Sequence, residues 1–427
     1  MSNNIIFTDG FDNYSTVLDK WDNYFAINGG GGSTPGEPTI VPGAGRGGAG
    51  ALLVGQSSQG GNNATTGTGV IKNIGAHSTI YVGFAMNWNP LNQVGTMEIL
   101  RFTDGTVAQV ALRLDPSGIF SFSSGGDSAA SSGVATTAIG SPAGFAFPSN
   151  SFHYVEVEVV ISATVGIANL YVDGVAWLTQ SGLNTKFTSN TYMTSIHFCQ
   201  LIMGTLTNQR TGSLYLDDAY IDTLGFNGDN RINGQLPNGD GSTQNFSNVA
   251  VTWAAATVEA VGNTIFDGTN LQRVVAVTGD AKTGPTTAPT WATSIGVNTT
   301  DNHVTWTCLG TPAQYKYVNE PNPDGDNSYI KSNNVGDISR FTFPAIPSGA
   351  VIKAVIIWPN MRKDDGGVRT VRGHIKSGSS TGDTGTDVSP GGQYQYQALI
   401  SATDPATGNP WTASGVNAAE FGIKITS

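Results

Sequence analysis

Two glutamates on one predicted strand have the spacing that best fits a reaction. Glu156 and Glu158 are two positions apart within residues 152–161, so their side chains lie on the same face of a β-strand. Glycoside hydrolysis uses two carboxyl groups that flank the scissile bond, one of them as a general acid. The valines that alternate with these glutamates predict the core face. The glutamates are therefore expected on a solvated face or against a bound glycan.

Three aspartates in another predicted strand could hold a hard cation. Asp217, Asp218 and Asp222 follow the alternating run Leu214-Tyr-Leu, and calcium binds several carboxylate and carbonyl oxygens. Adjacent residues on a strand point to opposite faces, however, and the sequence contains no twelve-residue calcium loop. A calcium site and a structural role at a turn or strand end both stay open for these aspartates.

Two tryptophans could serve as stacking platforms for a sugar. Trp291 and Trp306 lie in a short segment rich in Thr, Gly and Pro, and an aromatic ring offers a large apolar face. In so small a module the same two rings could instead form the core. Glycan contact and core packing both stay open for them.

No further constellation predicts a catalytic residue or a cofactor site. The sequence contains no Gly-x-Ser-x-Gly elbow and no phosphate-binding loop, and neither cysteine has a histidine nearby. The glycines of residues 43–48 match the dinucleotide-binding pattern by letter, but they follow Pro42 rather than a strand and lead into no helix. The histidines show no metal-ligand spacing; they are His77, His153, His197, His303 and His374. We expect a protein that is not an enzyme.

Composition and charge narrow the possible partners. Only 12% of the residues are charged and the net charge is −11, whereas nucleic-acid binding depends on clustered lysine and arginine. No run approaches the ~20 apolar residues of a membrane span, and the first residues do not resemble a signal peptide. The two cysteines, Cys199 and Cys308, exclude a disulfide framework. We expect no nucleic-acid partner and no membrane span.

The hydrophobic pattern predicts an all-β fold. Apolar residues alternate in short runs, as in residues 80–88, 110–114 and 155–161, and helical periodicity is hard to find. Asp173-Gly174 lies between alternating apolar residues, which is the signal of a β-hairpin. The 56 glycines and 39% hydrophobic residues fit many short strands joined by turns.

The first half of the chain resembles the concanavalin-A-like lectin and glucanase superfamily in its laminin-G-like form. The resemblance rests on residues 152–161, on Tyr171-Val-Asp-Gly-Val and on residues 214–221, in this order. It covers residues 5–223 and implies a two-sheet antiparallel jelly roll, a fold often used to bind carbohydrate or protein, sometimes with calcium. The glucanases of this superfamily pair two glutamates across an intervening aspartate, and Val157 stands at that position here.

The C-terminal region resembles one that recurs in structural proteins of tailed bacteriophages. A segment that is similar to a small β module of phage fibre and tail proteins interrupts it. We predict a jelly roll at 1–223, a smaller β-sandwich formed by 224–253 and 312–427, and an inserted β module at 254–311. The runs that carry the C-terminal resemblance are residues 238–246, 322–330, 351–360, 362–366, 404–411 and 417–423.

These resemblances imply a non-enzymatic structural protein on the exterior of a tailed-phage virion, such as a head fibre, a capsid decoration protein or a tail fibre. Its expected partners are other virion proteins and copies of itself, with a homotrimer expected first. Its expected location is the virion, which is assembled in the host cytoplasm and released by lysis. A carbohydrate-binding adsorption protein for a host-surface glycan is the alternative, and a glycan depolymerase is a further one.

Overall fold

The structure is a computed structural model that describes residues 4–28, 36–54, 66–90, 93, 95–125, 137–202 and 213–427. The chain divides into two compact units, residues 1–234 and 235–427. Helix in the described residues is limited to α1, Ala413–Asn417, and to single 3-10 turns at Val17–Asp19, Arg46–Gly48 and Gln314–Tyr317. None of these helices is long and apolar enough to cross a membrane.

Unit 1 is built from short strands. They are β1 Ile5–Asp9, β2 Asn23–Asn28, β3 Thr39–Val41, β4 Ala51–Val54, β5 Thr66–His77, β6 Thr79–Asn89, β7 Met97–Asp104, β8 Val107–Leu114, β9 Phe120–Ser124, β10 Thr137–Ile139, β11 Phe152–Val160, β12 Gly166–Val172, β13 Val175–Leu178, β14 Ser181–Leu183, β15 Met193–Ile202 and β16 Ser213–Asp222.

The strands of unit 1 form two facing sheets. Sheet I has the order β13-β12-β11-β6-β16-β4-β3, with β1 on β16 and β14 on β12, and sheet II has the order β10-β9-β8-β7-β15-β5-β2. The described strand pairs of both sheets are antiparallel. The predicted all-β, jelly-roll sandwich is confirmed, and the Asp173-Gly174 hairpin joins β12 to β13 as expected.

The core of unit 1 lies between its sheets. Phe84 of β6 and Phe198 of β15 meet edge to face with ring centroids 5.3 Å apart, and Trp21 packs against the same Phe198 ring at 5.4 Å. All three side chains are buried. This packing defines which face of sheet II points toward sheet I.

Unit 2 is also built from short strands. They are β17 Gly239–Gln244, β18 Ser247–Thr252, β19 Thr264–Phe266, β20 Leu271–Val277, β21 Asn298–Asp301, β22 Val304–Gly310, β23 Ser328–Lys331, β24 Ile338–Thr342, β25 Val355–Ile357, β26 Asn360–Met361, β27 Val371–Ser377, β28 Ser380–Val388, β29 Gln395–Tyr396, β30 Leu399–Ser401 and β31 Ala419–Ile425.

Two larger sheets organise unit 2. Sheet III has the order β17-β24-β31-β27-β28, sheet IV has the order β21-β22-β20-β19-β18-β23, and β25 pairs with β30 and β26 with β29. Strand β18 pairs with β19 in parallel. Strands β19 to β22, from the predicted module at 254–311, thus continue one sheet with β18 and β23, which lie outside it. That 254–311 is an inserted module stays a prediction.

Unit 1 ends at Gly234 rather than at Thr223. Phe226 packs edge to face against Tyr81 and Tyr171, with ring centroids 5.1 and 5.0 Å away. These contacts, with hydrogen bonds from the Gly228 N–H to Glu156 and from the Ile232 N–H to Asp218, hold residues 224–234 on the jelly roll.

Candidate functional site

Glu156 does not lie on a solvated face. The residue is buried, with 5% of its surface exposed. Its Oε1 accepts hydrogen bonds from the Tyr220 hydroxyl at 2.5 Å and from the Gly228 backbone N–H at 2.8 Å. Glu158 is half-buried and accepts hydrogen bonds from the Tyr81 hydroxyl at 2.9 Å and from the Asn169 amide at 2.8 Å. The expected open face is absent here because residues 226–228 pack over this part of sheet I.

Asp217 and Asp218 are buried and bound by donors of the protein. Asp217 accepts from the backbone N–H groups of Asp218 at 2.7 Å and Arg46 at 2.8 Å. Asp218 accepts from the Ile232 N–H at 2.8 Å and pairs with the Arg46 guanidinium at 3.2 Å. Burial, and then the charge of Asp218, raise the pKa of Asp217 to about 7. This pair holds the glycine loop around Arg46 and residues 230–232 against strand β16.

Asp222 is the third predicted calcium ligand. It is fully buried, and it accepts from the Leu224 N–H at 2.7 Å and from the Asn227 amide at 3.0 Å. No group of three or more Asp, Glu, His or Cys side chains that could hold a metal ion occurs among the described residues.

The two predicted stacking tryptophans differ in exposure. Trp306 is entirely buried and packs with Ile265, Val274 and Val304. Trp291 is half-buried, and its ring meets that of Trp306 edge to face at 5.7 Å. Part of the Trp291 side chain is exposed to solvent, whereas Trp306 has no exposed surface. Glycan contact by Trp291 stays a prediction.

Sheet II carries a row of polar side chains on the face that points away from sheet I. His197, Arg101, Ala111 and Ser123 are register partners across β15, β7, β8 and β9. Their neighbour Phe198 points to the core, and successive side chains on a strand alternate between faces. We call the face that carries this row the outward face. His197 is 2% exposed, and Arg101 and Ser123 have no exposed surface.

A bulge adds Glu98 to the outward face. Glu98 pairs with Arg113 and Leu100 pairs with Leu112, so strand β7 has one extra residue at this point. In a regular strand, residues three apart point to opposite faces. The extra residue shifts the alternation by one, so Glu98 and Arg101 share a face, with Arg101 Nε and Glu98 Oε2 3.0 Å apart.

Most polar atoms of the row lack hydrogen-bond partners. No partner is found for either carboxylate oxygen of Glu98, for the three guanidinium nitrogens of Arg101, for Ser123 Oγ or for His197 Nδ1. The Nε2 atom of His197 lies 3.2 Å from Ser195 Oγ. Although Arg101 and Glu98 are in ion-pair contact, their geometry does not meet that of a hydrogen bond. Buried polar groups in folded proteins are almost always paired, so each exception calls for an explanation.

Burial determines the charges on the outward face. Burial, and then the cation of Arg101, lower the pKa of His197 to about 3, so this ring is neutral near pH 7. Burial also raises the pKa of Glu98, although Arg101 and Arg113 oppose this shift. The pKa of the Cys199 thiol is raised for the same reason, which keeps the thiol protonated. A polar ligand that supplied hydrogen bonds would relieve these unpaired groups.

No known family model matches the sequence, and no curated protein matches it. Among solved structures, the alginate lyase Aly36B is 13% identical with a TM-score of 0.32, and the match covers 51% of this chain and 96% of that one. The cellulose induced protein Cip1 is 12% identical with a TM-score of 0.34, covering 53% and 99%. The CBM2 module of the evolved Dit of Lactobacillus casei BL23 phage J-1 is 12% identical with a TM-score of 0.27, covering 53% and 98%. Similarity at this level carries no functional inference.

A hydrogen-bonded chain of serine, histidine and aspartate lies elsewhere on unit 1. Ser151 Oγ lies 2.9 Å from His153 Nε2, and His153 Nδ1 lies 2.6 Å from Asp173 Oδ2. Half of the Asp173 side chain is exposed, and its other oxygen accepts from the Tyr154 N–H at 2.8 Å. The order of groups is that of a nucleophilic triad, but the orienting carboxylate is hydrated and also fixes the β12–β13 turn.

Sequence reasoning found neither the outward face nor this chain of three residues. A signal for the outward face is present: Arg101 and His197 are large polar residues, and each is flanked on both sides by large apolar ones. The bulge that brings Glu98 beside Arg101 has no such signal, because it depends on the register between strands.

Proposed function

We propose that this chain is a non-enzymatic exterior component of a tailed-phage virion, and that its jelly roll binds a glycan on the outward face of sheet II. The observation that carries the binding proposal is the row of unpartnered polar atoms on Glu98, Arg101, Ser123 and His197. These side chains are buried, so binding requires this part of unit 1 to open. The proposal includes adsorption to the host, because a glycan on the host surface is the ligand that such a protein would meet.

A polyhydroxylated ligand suits the chemistry of this row. Arg101 only donates hydrogen bonds and ionised Glu98 only accepts them, whereas Ser123 does both. A sugar hydroxyl also donates and accepts, so neighbouring hydroxyls can pair with all three side chains. An apolar ligand would leave these groups unpaired, at a cost of about 1–3 kcal/mol for each group.

Binding should depend on the outward face and be measurable on the full chain. A glycan array identifies ligands for the wild type, and titration calorimetry then compares Arg101→Met and Ser123→Ala with Arg369→Met, a matched change at an arginine of unit 2 paired with Asp365. We expect both outward-face variants to weaken binding and Arg369→Met to leave it unchanged. Melting curves establish that each variant folds. A blank array, or full affinity in both outward-face variants, would refute the binding proposal.

The hydrogen bonds of the predicted carboxylate pair, Glu156 and Glu158, support a non-enzymatic role. Glu156 and Glu158 are both engaged by internal donors, so neither is free to flank a glycosidic bond as acid or nucleophile. We expect the purified chain to release no reducing ends and no unsaturated products from polysaccharides that it binds. Release above the level of a heat-denatured sample would contradict this part of the proposal.

The virion location is supported by the C-terminal resemblance to phage structural proteins and by the low share of charged residues. We expect the chain in particles purified after lysis, where antibodies would label an exterior appendage, and we expect a homotrimer in sedimentation analysis. A chain that is absent from purified particles would rule out the virion role, whatever its glycan affinity.

A further inference from the structure

We infer that unit 1 has a second ligand site, in a cleft at the edge of the sandwich, and that this cleft binds a sugar unit that carries an anionic group. The cleft has a volume of about 430 Å³. It lies between β10, the last strand of sheet II, and residues 183–187, which begin at the end of β14. Binding sites for small molecules have volumes of about 300–1,000 Å³. The inference does not depend on the glycan site proposed on the outward face.

The cleft and the outward face lie on opposite sides of sheet II. Ser124 lines the cleft, whereas its neighbour Ser123 belongs to the outward face, and successive side chains on a strand alternate between faces. Ile139 also lines the cleft, and it is the register partner of the buried Phe122. A ligand in the cleft therefore contacts other residues than those of the outward face.

The cleft is accessible as it stands. Thr137, Asn184 and Phe187 line it and are exposed. A ligand can therefore enter from solvent without a rearrangement of the described residues.

Buried side chains fix the segment that forms one wall of the cleft. Thr185 is fully buried, and its hydroxyl donates to the Val160 carbonyl at 2.6 Å. Gln109 is also fully buried, and its Oε1 accepts from the Phe187 N–H at 2.6 Å. Residues 184–187 are therefore held in place before a ligand binds, which lowers the entropic cost of binding.

Three side chains of this segment determine the chemistry of the cleft. Lys186 is the only charged residue among the described residues that line it, and its ammonium makes no ion pair with another described residue. Phe187 is 42% exposed, so part of its ring offers an apolar surface to a ligand. Asn184 is exposed, and an amide side chain both donates and accepts hydrogen bonds.

An anionic sugar matches these three groups together. Its carboxylate or phosphate pairs with the Lys186 ammonium, and the C–H face of its ring packs on Phe187. Its hydroxyls form hydrogen bonds with the Asn184 amide and the Thr137 hydroxyl. A simple anion would use Lys186 alone, and a neutral sugar would leave Lys186 without a counter-ion.

The experiment measures binding of small probes to the full chain by ligand-observed NMR titration at neutral pH. The probes are the hexose, the hexuronate and the hexose 6-phosphate of the gluco, galacto and manno series. Within a series they share one ring and differ at C6, so the two anionic arms distinguish a carboxylate from a phosphate. We expect at least one anionic probe to bind about tenfold more tightly than its hexose. This preference should shrink at about 0.5 M salt, because ions screen exposed charges.

Variants of the cleft test each contact. Lys186→Gln should lower the affinity for the anionic probe to that of the hexose, whereas Lys186→Arg keeps the charge and should keep the preference. Phe187→Ala should weaken the anionic probe about tenfold and keep the preference. The matched controls are Lys353→Gln at an exposed lysine of unit 2 and Phe145→Ala at an exposed phenylalanine of unit 1. Neither control should change an affinity, and melting curves establish that each variant folds.

This inference and the proposed function fail separately. Equal affinities for hexoses and anionic probes would overturn the anionic class of ligand. An unchanged preference in folded Lys186→Gln, or an unchanged affinity in folded Phe187→Ala, would overturn the cleft as the site. No binding of any probe would also overturn the inference. The outward face is tested by Arg101→Met and Ser123→Ala with the glycans of the array, so its outcome is independent of the cleft.

Discussion

The Tyr220 hydroxyl reaches Glu156 across the strand that lies between them. Gly83 of β6 is the register partner of both Glu156 on β11 and Tyr220 on β16, and the hydroxyl donates to Glu156 Oε1 at 2.5 Å. A Cβ atom on Gly83 would lie 2.1 Å from Tyr220 Cε1. The missing side chain of Gly83 is therefore what lets the tyrosine ring cross β6.

We expect Tyr220→Phe to lower the free energy of unfolding by about 1–3 kcal/mol, because Glu156 stays buried and loses a donor. Gly83→Ala should have a similar cost, of about 1–3 kcal/mol, because the tyrosine ring must move. Urea denaturation measures both. Tyr215→Phe on the same strand and Gly144→Ala, where a Cβ meets open space, are the controls. Stability equal to that of the controls would show that the Tyr220–Glu156 hydrogen bond does not stabilise unit 1.

A buried acidic pair should make unit 2 less stable at alkaline pH. Burial, and then the charge of Asp324, raise the pKa of Glu320, and burial raises the pKa of Asp324. The folded state therefore binds protons more tightly than the unfolded state does. Stability is greatest at acidic pH and is lost as the pH rises above the range of a free carboxyl group. Glu320→Gln should reduce this loss by an amount on the order of 1–3 kcal/mol, measured as the change in free energy of unfolding between about pH 5 and about pH 9.

Glu420→Gln in the same unit is a control of opposite sign. Burial alone would raise the pKa of Glu420, but Ser242, Lys376 and Arg340 outweigh it and lower the pKa to about 2. The stability that Glu420 adds is present at neutral pH and is lost as the pH falls through about 2. Glu420→Gln should therefore destabilise the neutral protein. Identical pH profiles for both variants would contradict the assignment of either group.

Substitutions of Trp291 and Trp306 should separate packing from binding. Trp306→Ala removes a fully buried ring and should cost about 3–5 kcal/mol of unfolding free energy. Trp291→Ala should cost clearly less, because its ring is half-buried. We also expect Trp291→Ala to keep the glycan affinity of the full chain, since the proposed site lies on unit 1. A loss of affinity in a folded Trp291→Ala protein would assign a sugar contact to unit 2.

Ser151 should not act as a nucleophile. Its partner His153 is oriented by the carboxylate of Asp173. That carboxylate is half exposed and also accepts a hydrogen bond from the Tyr154 N–H. Water therefore competes for the group that would have to stabilise an imidazolium. We expect a fluorophosphonate probe to label the wild type no more than Ser151→Ala, with a known serine hydrolase as the positive control. Labelling that depends on Ser151 would replace the non-enzymatic proposal by an acyl-transfer activity.

Local sequence patterns predicted the strands but not the contacts between distant ones. Strands β6, β8 and β11 and the Asp173-Gly174 turn follow from alternation and turn chemistry, which act over a few residues. The burial of Glu156 does not, because it needs Gly83 beside it and residues 226–228 above it, and these approach only in the folded sandwich.

The outward face escaped prediction for a related physical reason. Alternating polar residues on a strand normally indicate a hydrated surface, and alternation places Glu98 and Arg101 on opposite faces. The bulge between Glu98 and Leu100 reverses that assignment, and a one-residue shift in register leaves no mark in composition or periodicity.

Residues 224–234 determine how mechanical load would enter the jelly roll. A pull transmitted from the second unit along the backbone meets the Gly234 N–H bond to Asp12 and then the Ile232 N–H bond to Asp218. It next meets Arg46, which donates to the Asn230 carbonyl, and then the Gly228 N–H bond to Glu156. Only after these anchors yield does tension reach the ladder of β16. Such a series of side-chain hydrogen bonds would dissipate force in steps and spare the sheet.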